Sequence, residues 1–217
     1  MSSIHDSIIE ALIVVEPRHS PFLSYHLSSV HLTHRQDSIH WILRACARYH
    51  FQPTTIALSV NYFDRFFPGS ATLEGYNDRD YRLLSIVCLS LAAKMEESNI
   101  PSLVNLQVSE PRFIFESKII QEMELSVMKK LNWRLLSVTP YDFINYFIFK
   151  LPSSCIKNEV NFRMQCSDLI IKTIQVIEFS RFQSFVIAAT TVTIVVGDDV
   201  KLPESFYEKV NKVLIIT

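Results

Sequence analysis

Between Leu83 and Met95 the chain reads Leu-Leu-Ser-Ile-Val-Cys-Leu-Ser-Leu-Ala-Ala-Lys-Met, almost entirely apolar or small. This run lies inside a proline-free interval, Asp78 to Glu96, which predicts a helix over that whole stretch. A helix that is apolar on every side is a buried central helix with other helices packed around it. The glycine count points the same way. Only Gly69, Gly75 and Gly197 are present in 217 residues. No two of them are spaced for a dinucleotide fingerprint, a phosphate loop or a nucleophile elbow. Folds rich in β-turns need far more glycine. With 48% hydrophobic residues there is ample material for a core, so the expected class is all-α.

The nine prolines punctuate the rest, because proline suits a first helical turn and disfavours helix at the residue before it. Helices are expected at Ser7–Val15, Arg35–Tyr49, Pro53–Phe67, Asp78–Glu96, Phe113–Leu131, Tyr141–Lys150, Asn158–Glu178 and Phe182–Val196, with a short turn over Ser102–Val108. A last amphipathic helix is expected over Pro203–Val213, after a Gly197-Asp198-Asp199 stop. Ser85–Ala93 and Ser184–Val192 share a pattern, a faint internal repeat.

Bulk charge excludes several function classes. The 22 acidic residues balance 21 basic ones, giving a net charge of −1 and no electrostatic reason to bind nucleic acid or an anionic membrane. The longest apolar stretch, Phe185–Val196, is well short of the ~20 residues needed to cross a bilayer. The N-terminal sequence has no basic leader and is not read as a secretory signal. Cys46, Cys88, Cys155 and Cys166 show no C-x-x-C spacing and read as reduced, mainly buried thiols of a cytosolic or nuclear protein.

A catalytic site is not legible. All seven histidines lie in the first 50 residues, remote from the later cysteines and serines. His31, His34 and His40 lack an acidic or cysteine partner at metal-ligand spacing, so no metal is expected. Four charges stand among apolar neighbours: Arg35, Asp64, Lys94 and Glu124. An unpaired buried charge is costly, so partners are required. Two internal ion pairs, Arg35–Asp64 and Lys94–Glu124, satisfy that need. Alternatively Lys94 and Glu124 rim an apolar surface and bond the helix of another protein.

Four stretches carry a family resemblance. They are Ala57-Leu-Ser-Val-Asn-Tyr-Phe-Asp-Arg-Phe-Phe67, Leu84 to Glu97, Phe115 to Leu125 and Leu131-Asn-Trp-Arg134. Together they resemble the cyclin box, with plant D-type cyclins most similar. Asp37 to Leu43 and Val138 to Phe147 extend the likeness to about residues 20–200, more weakly beyond Pro152. The resemblance implies tandem cyclin-box lobes: residues 1–34 an N-terminal helix and extension, 35–135 a five-helix cyclin box, and 136–217 a second, shortened lobe. It implies no catalytic activity, no cofactor and no small-molecule substrate. The implied partner is a cyclin-dependent serine/threonine kinase, activated in cell-cycle control at G1/S. The implied location is the nucleus, with the cytoplasm as a second compartment.

Residue by residue, the resemblance makes Lys94 and Glu124 the charged pair that binds the kinase helix, with Met95, Met128, Trp133 and Leu135 as apolar contacts. Arg35 and Asp64 become the internal ion pair. A substrate-docking groove would fall at His34, Ser38 and Trp41. Its aliphatic positions are polar here, and Arg44 stands where many cyclins are acidic, so a cationic docking motif is disfavoured. The L-x-C-x-E segment that binds pocket proteins is absent, so that contact is not expected. Two further readings stay open: a cyclin-like protein that binds a kinase without activating it, and a cyclin-fold transcription factor. The second needs a basic surface that the composition does not supply.

Overall fold

The computed structural model describes residues 2–18, 29–67, 75–107, 112–152, 155–197 and 204. Among them every regular element is helical. The helices are α1 (Ser2–Val15), α2 (Ser29–Tyr49), α3 (Pro53–Phe66), α4 (Asp78–Glu96), α5 (Leu103–Leu106), α6 (Ser117–Lys130), α7 (Tyr141–Lys150), α8 (Glu159–Gln175) and α9 (Ser184–Val196). Short 3-10 turns cover Glu16–Arg18 and Ile177–Arg181. The helix expected over Pro203–Val213, Gly69 and the Asp198-Asp199 pair lie outside the described residues.

Contacts divide the chain into two compact units. The first is His19–Ser137, built around α4, which packs against α2, α3, α5 and α6. Every residue from Leu84 to Ala93 is buried, which is the central helix that its all-round apolarity demands. Buried serines are tolerated because their hydroxyls fold back onto the helix: Ser85 Oγ donates to the Tyr81 carbonyl at 2.7 Å, and Ser59 Oγ to Thr55 at 2.6 Å. The start of α4 is fixed by a capping box. Asn77 Oδ1 accepts from the Arg79 and Asp80 amides, and the Asp80 carboxylate accepts from the Asn77 amide.

The second unit joins Met1–Arg18 to Val138–Thr217. Its core is aromatic: Phe143, Phe147 and Phe185 meet at ring-centroid distances of 5.2 and 4.9 Å. Ile9 is buried in the same cluster, with Leu12 and Ile13 packed against it. The division therefore departs from the 1–34 extension read in the sequence. The apolar stripe of α1 belongs to this core, and polar ties reinforce it: Tyr146 Oη donates to Asp6 at 3.1 Å, and the Glu16 carboxylate accepts the Ser184 amide at the start of α9. Burial raises the Glu16 carboxyl above its ordinary range, opposed by its bonds to Ser184 and Phe185. The two stretches of the faint repeat fall on α4 and α9, each of which packs against several helices of its own unit.

Three helix boundaries differ from expectation for visible reasons. Helix α2 starts at Ser29 rather than Arg35, because His31 is buried against Phe67 and Tyr81 and carries the helix back with it. Helix α6 starts at Ser117 rather than Phe113. The Gln107 side chain donates to the Phe115 carbonyl at 3.0 Å and accepts from the Phe115 amide at 2.7 Å, which holds that residue out of the helix. Helix α8 gives way at Gln175, and Ile177–Arg181 tightens into a 3-10 turn.

Candidate functional site

The four charges noted in the sequence form two pairs inside the first unit. Arg35 on α2 meets Asp64 on α3 with two parallel bonds, Nε to Oδ1 and Nη2 to Oδ2, both 2.8 Å. Both side chains are almost fully buried, at 2% and 5% exposure. This fork geometry binds the first two helices of the unit together.

Lys94, in the last turn of α4, reaches Glu124 in the middle of α6. Its Nζ lies 2.6 Å from Oε1 and 2.7 Å from Oε2. Ser90, one turn earlier on α4, also donates to Oε1 at 2.6 Å. The carboxylate is buried at 8% exposure while the lysine side chain is 44% exposed. The ammonium has three donors, so a third is available to an incoming acceptor.

Four apolar side chains follow these two residues along the same elements. Met95 follows Lys94 and is 37% exposed. Met128 lies one turn beyond Glu124 and is half-buried. Trp133 is 62% exposed, and Leu135 is half-buried. Trp133 is presented by the way α6 ends. The Asn132 amide donates to Lys129 at 3.0 Å and the Trp133 amide to Met128 at 2.8 Å, the paired bonds of a Schellman stop. Asn132 has φ 53° and Trp133 φ 60°, so two successive side chains stand in the left-handed region. That is uncommon for asparagine and rarer for tryptophan.

The segment after the stop is held by α3, through residues that the sequence reading did not single out. The Arg65 guanidinium donates to the Arg134 carbonyl at 2.9 Å and to Ser137 Oγ at 2.8 Å. Tyr62 Oη donates to the Leu135 carbonyl. Burial lowers the Arg65 pKa and raises that of Tyr62. Leu136 in the same segment is 77% exposed and was also missed. A local sequence signal could have flagged Arg65, which stands among Phe63, Phe66 and Phe67 as Asp64 does.

Of the groove residues that the resemblance implies, His34 and Ser38 line one cleft on the α2 face. Trp41 is fully buried, and Arg82 lies over its ring at 5.1 Å. Ser38 is buried at 3% exposure. His34 stacks on Tyr81, with centroids 4.4 Å apart, and its Nδ1 is 3.5 Å from Asp78. His31 is also internal, its Nδ1 2.9 Å from Tyr81 Oη. Among the described residues no group of three or more His, Cys, Asp or Glu side chains could hold a metal ion. No described helix is long and apolar enough to cross a membrane.

Fold and site together define a class: an all-helical protein of two compact units, one bearing a half-exposed charged pair. Comparisons with known proteins specify it further. The family model for the cyclin N-terminal domain matches residues 7–136. Cyclin-D1-1 of Arabidopsis thaliana is 39% identical over 183 residues, covering 84% of this chain and 53% of that protein. The chain thus spans about half the length of that relative. Among solved structures, a viral cyclin from herpesvirus saimiri superposes with a TM-score of 0.76 at 15% identity, covering 96% of this chain and 91% of that one. A chain of the yeast RNA polymerase II CTD kinase complex CTDK-1 gives 0.66 at 12% identity, covering 88% and 67%. These two likenesses concern the fold. The chain belongs to the cyclin family and resembles plant D-type cyclins over most of its length.

Proposed function

We propose that this chain is a regulatory subunit that binds and activates a cyclin-dependent serine/threonine kinase, acting in the nucleus at G1/S. The observation that carries the proposal is the Lys94–Glu124 pair. It presents a half-exposed ammonium anchored on a buried carboxylate, and Met95, Met128, Trp133 and Leu135, exposed or half-buried, stand next along the same elements. The fixed carboxylate holds the ammonium in place, so its remaining donor can cap carbonyls at the C-terminal end of a partner helix. The methionines adapt to the partner's side chains, and the tryptophan supplies a large apolar anchor.

The chain needs no catalytic group for this role. A protein kinase is active when a helix-borne glutamate pairs with its ATP-positioning lysine. A surface that binds the helix better in that position shifts the kinase toward the active state by its differential affinity. Family membership and a kinase complex among the fold neighbours support a kinase partner. The test is reconstitution with a purified cyclin-dependent kinase and assay of phosphate transfer to histone or a pocket protein. Stimulated transfer is expected. Binding without stimulation, or no binding, overturns the proposal.

A further inference from the structure

The stop of α6 places two successive non-glycine residues, Asn132 and Trp133, at φ 53° and 60°. Such conformations persist only where their surroundings over-determine them. Backbone bonds do part of this. Besides the two that close the stop, the Arg134 amide donates to the Leu131 carbonyl at 3.1 Å and the Leu135 amide to the Trp133 carbonyl at 3.2 Å. A side chain of α3 adds the rest. Arg65 Nη1 donates to the Arg134 carbonyl at 2.9 Å, and Nη2 reaches the Leu131 carbonyl at 3.4 Å. A single guanidinium therefore spans the left-handed pair, taking the carbonyl on either side of it. Nη1 also donates to Ser137 Oγ at 2.8 Å, and Tyr62, one turn earlier on α3, donates to the Leu135 carbonyl. Successive residues of α3 thus serve different ends: Asp64 holds Arg35 of α2, and Arg65 holds the chain that leaves α6.

We propose that Arg65 is a positioning residue for docking: by clamping the chain on both sides of Asn132-Trp133, it holds the Trp133 side chain in the pose that a kinase meets. This inference rests on the proposed function, because the Trp133 contact is part of it. Arg65 acts through the turn and not by touching the partner, since its printed donors are all used inside the unit. Trp133 is 62% exposed, so packing does not fix it in the free chain. A tryptophan on a loosely held turn must be ordered on binding, and that ordering subtracts from affinity. A turn fixed beforehand avoids the loss. The residue type matters as well. Guanidinium donors sit on separate nitrogens of a rigid plane, so one side chain reaches two carbonyls from different directions. A lysine keeps the charge but concentrates its donors on one atom. Charge alone therefore does not meet the requirement.

The experiment uses the full chain and a purified cyclin-dependent kinase, with affinities from isothermal titration. Arg65→Gln should weaken binding roughly tenfold, Arg65→Lys nearly as much and Tyr62→Phe less, with helical circular dichroism unchanged. In a Trp133→Ala background the Arg65→Gln loss should shrink to about twofold or less, because the clamp then has no anchor to hold. An arginine that only stabilised the unit would cost the same in both backgrounds. A second readout needs no kinase. Time-resolved emission anisotropy, with the fully buried Trp41 as reference, should show faster motion of Trp133 in Arg65→Gln. Native affinity in Arg65→Gln, a loss undiminished by Trp133→Ala, full rescue by Arg65→Lys, or unaltered Trp133 motion would each overturn the inference. If Arg65→Gln loses its helical signal, Tyr62→Phe decides, and native affinity in that variant overturns it. A native chain that binds no kinase overturns the proposed function and the docking role with it. A native chain that binds no better than Arg65→Gln overturns the docking role alone.

Discussion

Two ion pairs of the same chemical type occupy one helical unit, and they are built for different ends. Arg35–Asp64 is closed on both sides: two parallel 2.8 Å bonds, both partners buried, between neighbouring helices. Lys94–Glu124 is closed on one side only. Its carboxylate is buried and also bonded by Ser90, while its lysine is half in solvent. A planar guanidinium suits the first place because its fork matches one carboxylate with two parallel bonds; a point-like ammonium suits the second because it keeps a donor to offer. Burial of the cation, more than the presence of a salt bridge, separates a brace from a docking point.

The largest test of this contrast is Asp64→Ala. Removing one partner of a fully buried pair leaves Arg35 charged and unsolvated, and should cost ~3–5 kcal/mol of stability, read from urea unfolding followed by circular dichroism. An unchanged midpoint would erase the distinction. Glu124→Gln, which likewise removes the acid, should cost only about 1 kcal/mol by the same measurement, since the ammonium it leaves behind is half-exposed to water. Equal losses from the two substitutions would mean that both pairs are braces.

Acidification should act beside the closed pair, through His31. His31 lies beside Arg35 and Asp64, bonded to Tyr81 of α4 and edge-on to Phe67. Burial holds its pKa below the ordinary 6.5, with Arg35 and His34 adding to the effect and Asp64 opposing it. The unfolded chain therefore takes up this proton more readily than the folded one. The stability contribution is fully present above pH 6.5 and is lost as pH falls through the lowered folded value. Unfolding midpoints at pH 7.5 and 5.5 should differ more for the native chain than for His31→Asn. A similar drop in both would assign the effect to carboxylates elsewhere.

A smaller effect concerns the thiols. Burial raises Cys46 to about 12 and Cys166 to about 11, and holds Cys88 well above its usual value. Cys155 is less buried and should be modified first by a thiol reagent in the native state. Early labelling of Cys46 or Cys88 would show that the first unit opens locally.

Much of this was legible in the sequence because it depends on local pattern. Helix α4 was bounded at Asp78 and Glu96 by its apolar run, and α3 to within one residue by Pro53 and its aromatic stripe. Lys94, Glu124, Arg35 and Asp64 stood out because charge among apolar neighbours demands a partner. Other features depend on residues distant in the chain. Gln107 holding Phe115 out of α6 depends on a side chain from another element, and so does the tethering of the Leu131–Ser137 segment by Tyr62 and Arg65. The left-handed turn at Asn132-Trp133 and the assignment of α1 to the second unit also follow from tertiary packing.

The central claim is that the half-open pair is the docking point. The most direct measurement is kinase binding by a chain in which both charges are exchanged, Lys94→Glu with Glu124→Lys. The exchange retains an internal ion pair, so helical circular dichroism should be unchanged, while a partner helix would meet a carboxylate where it expects an ammonium. Loss of co-precipitation with a cyclin-dependent kinase, with the native helical signal intact, is the predicted result. Binding at native affinity would contradict it.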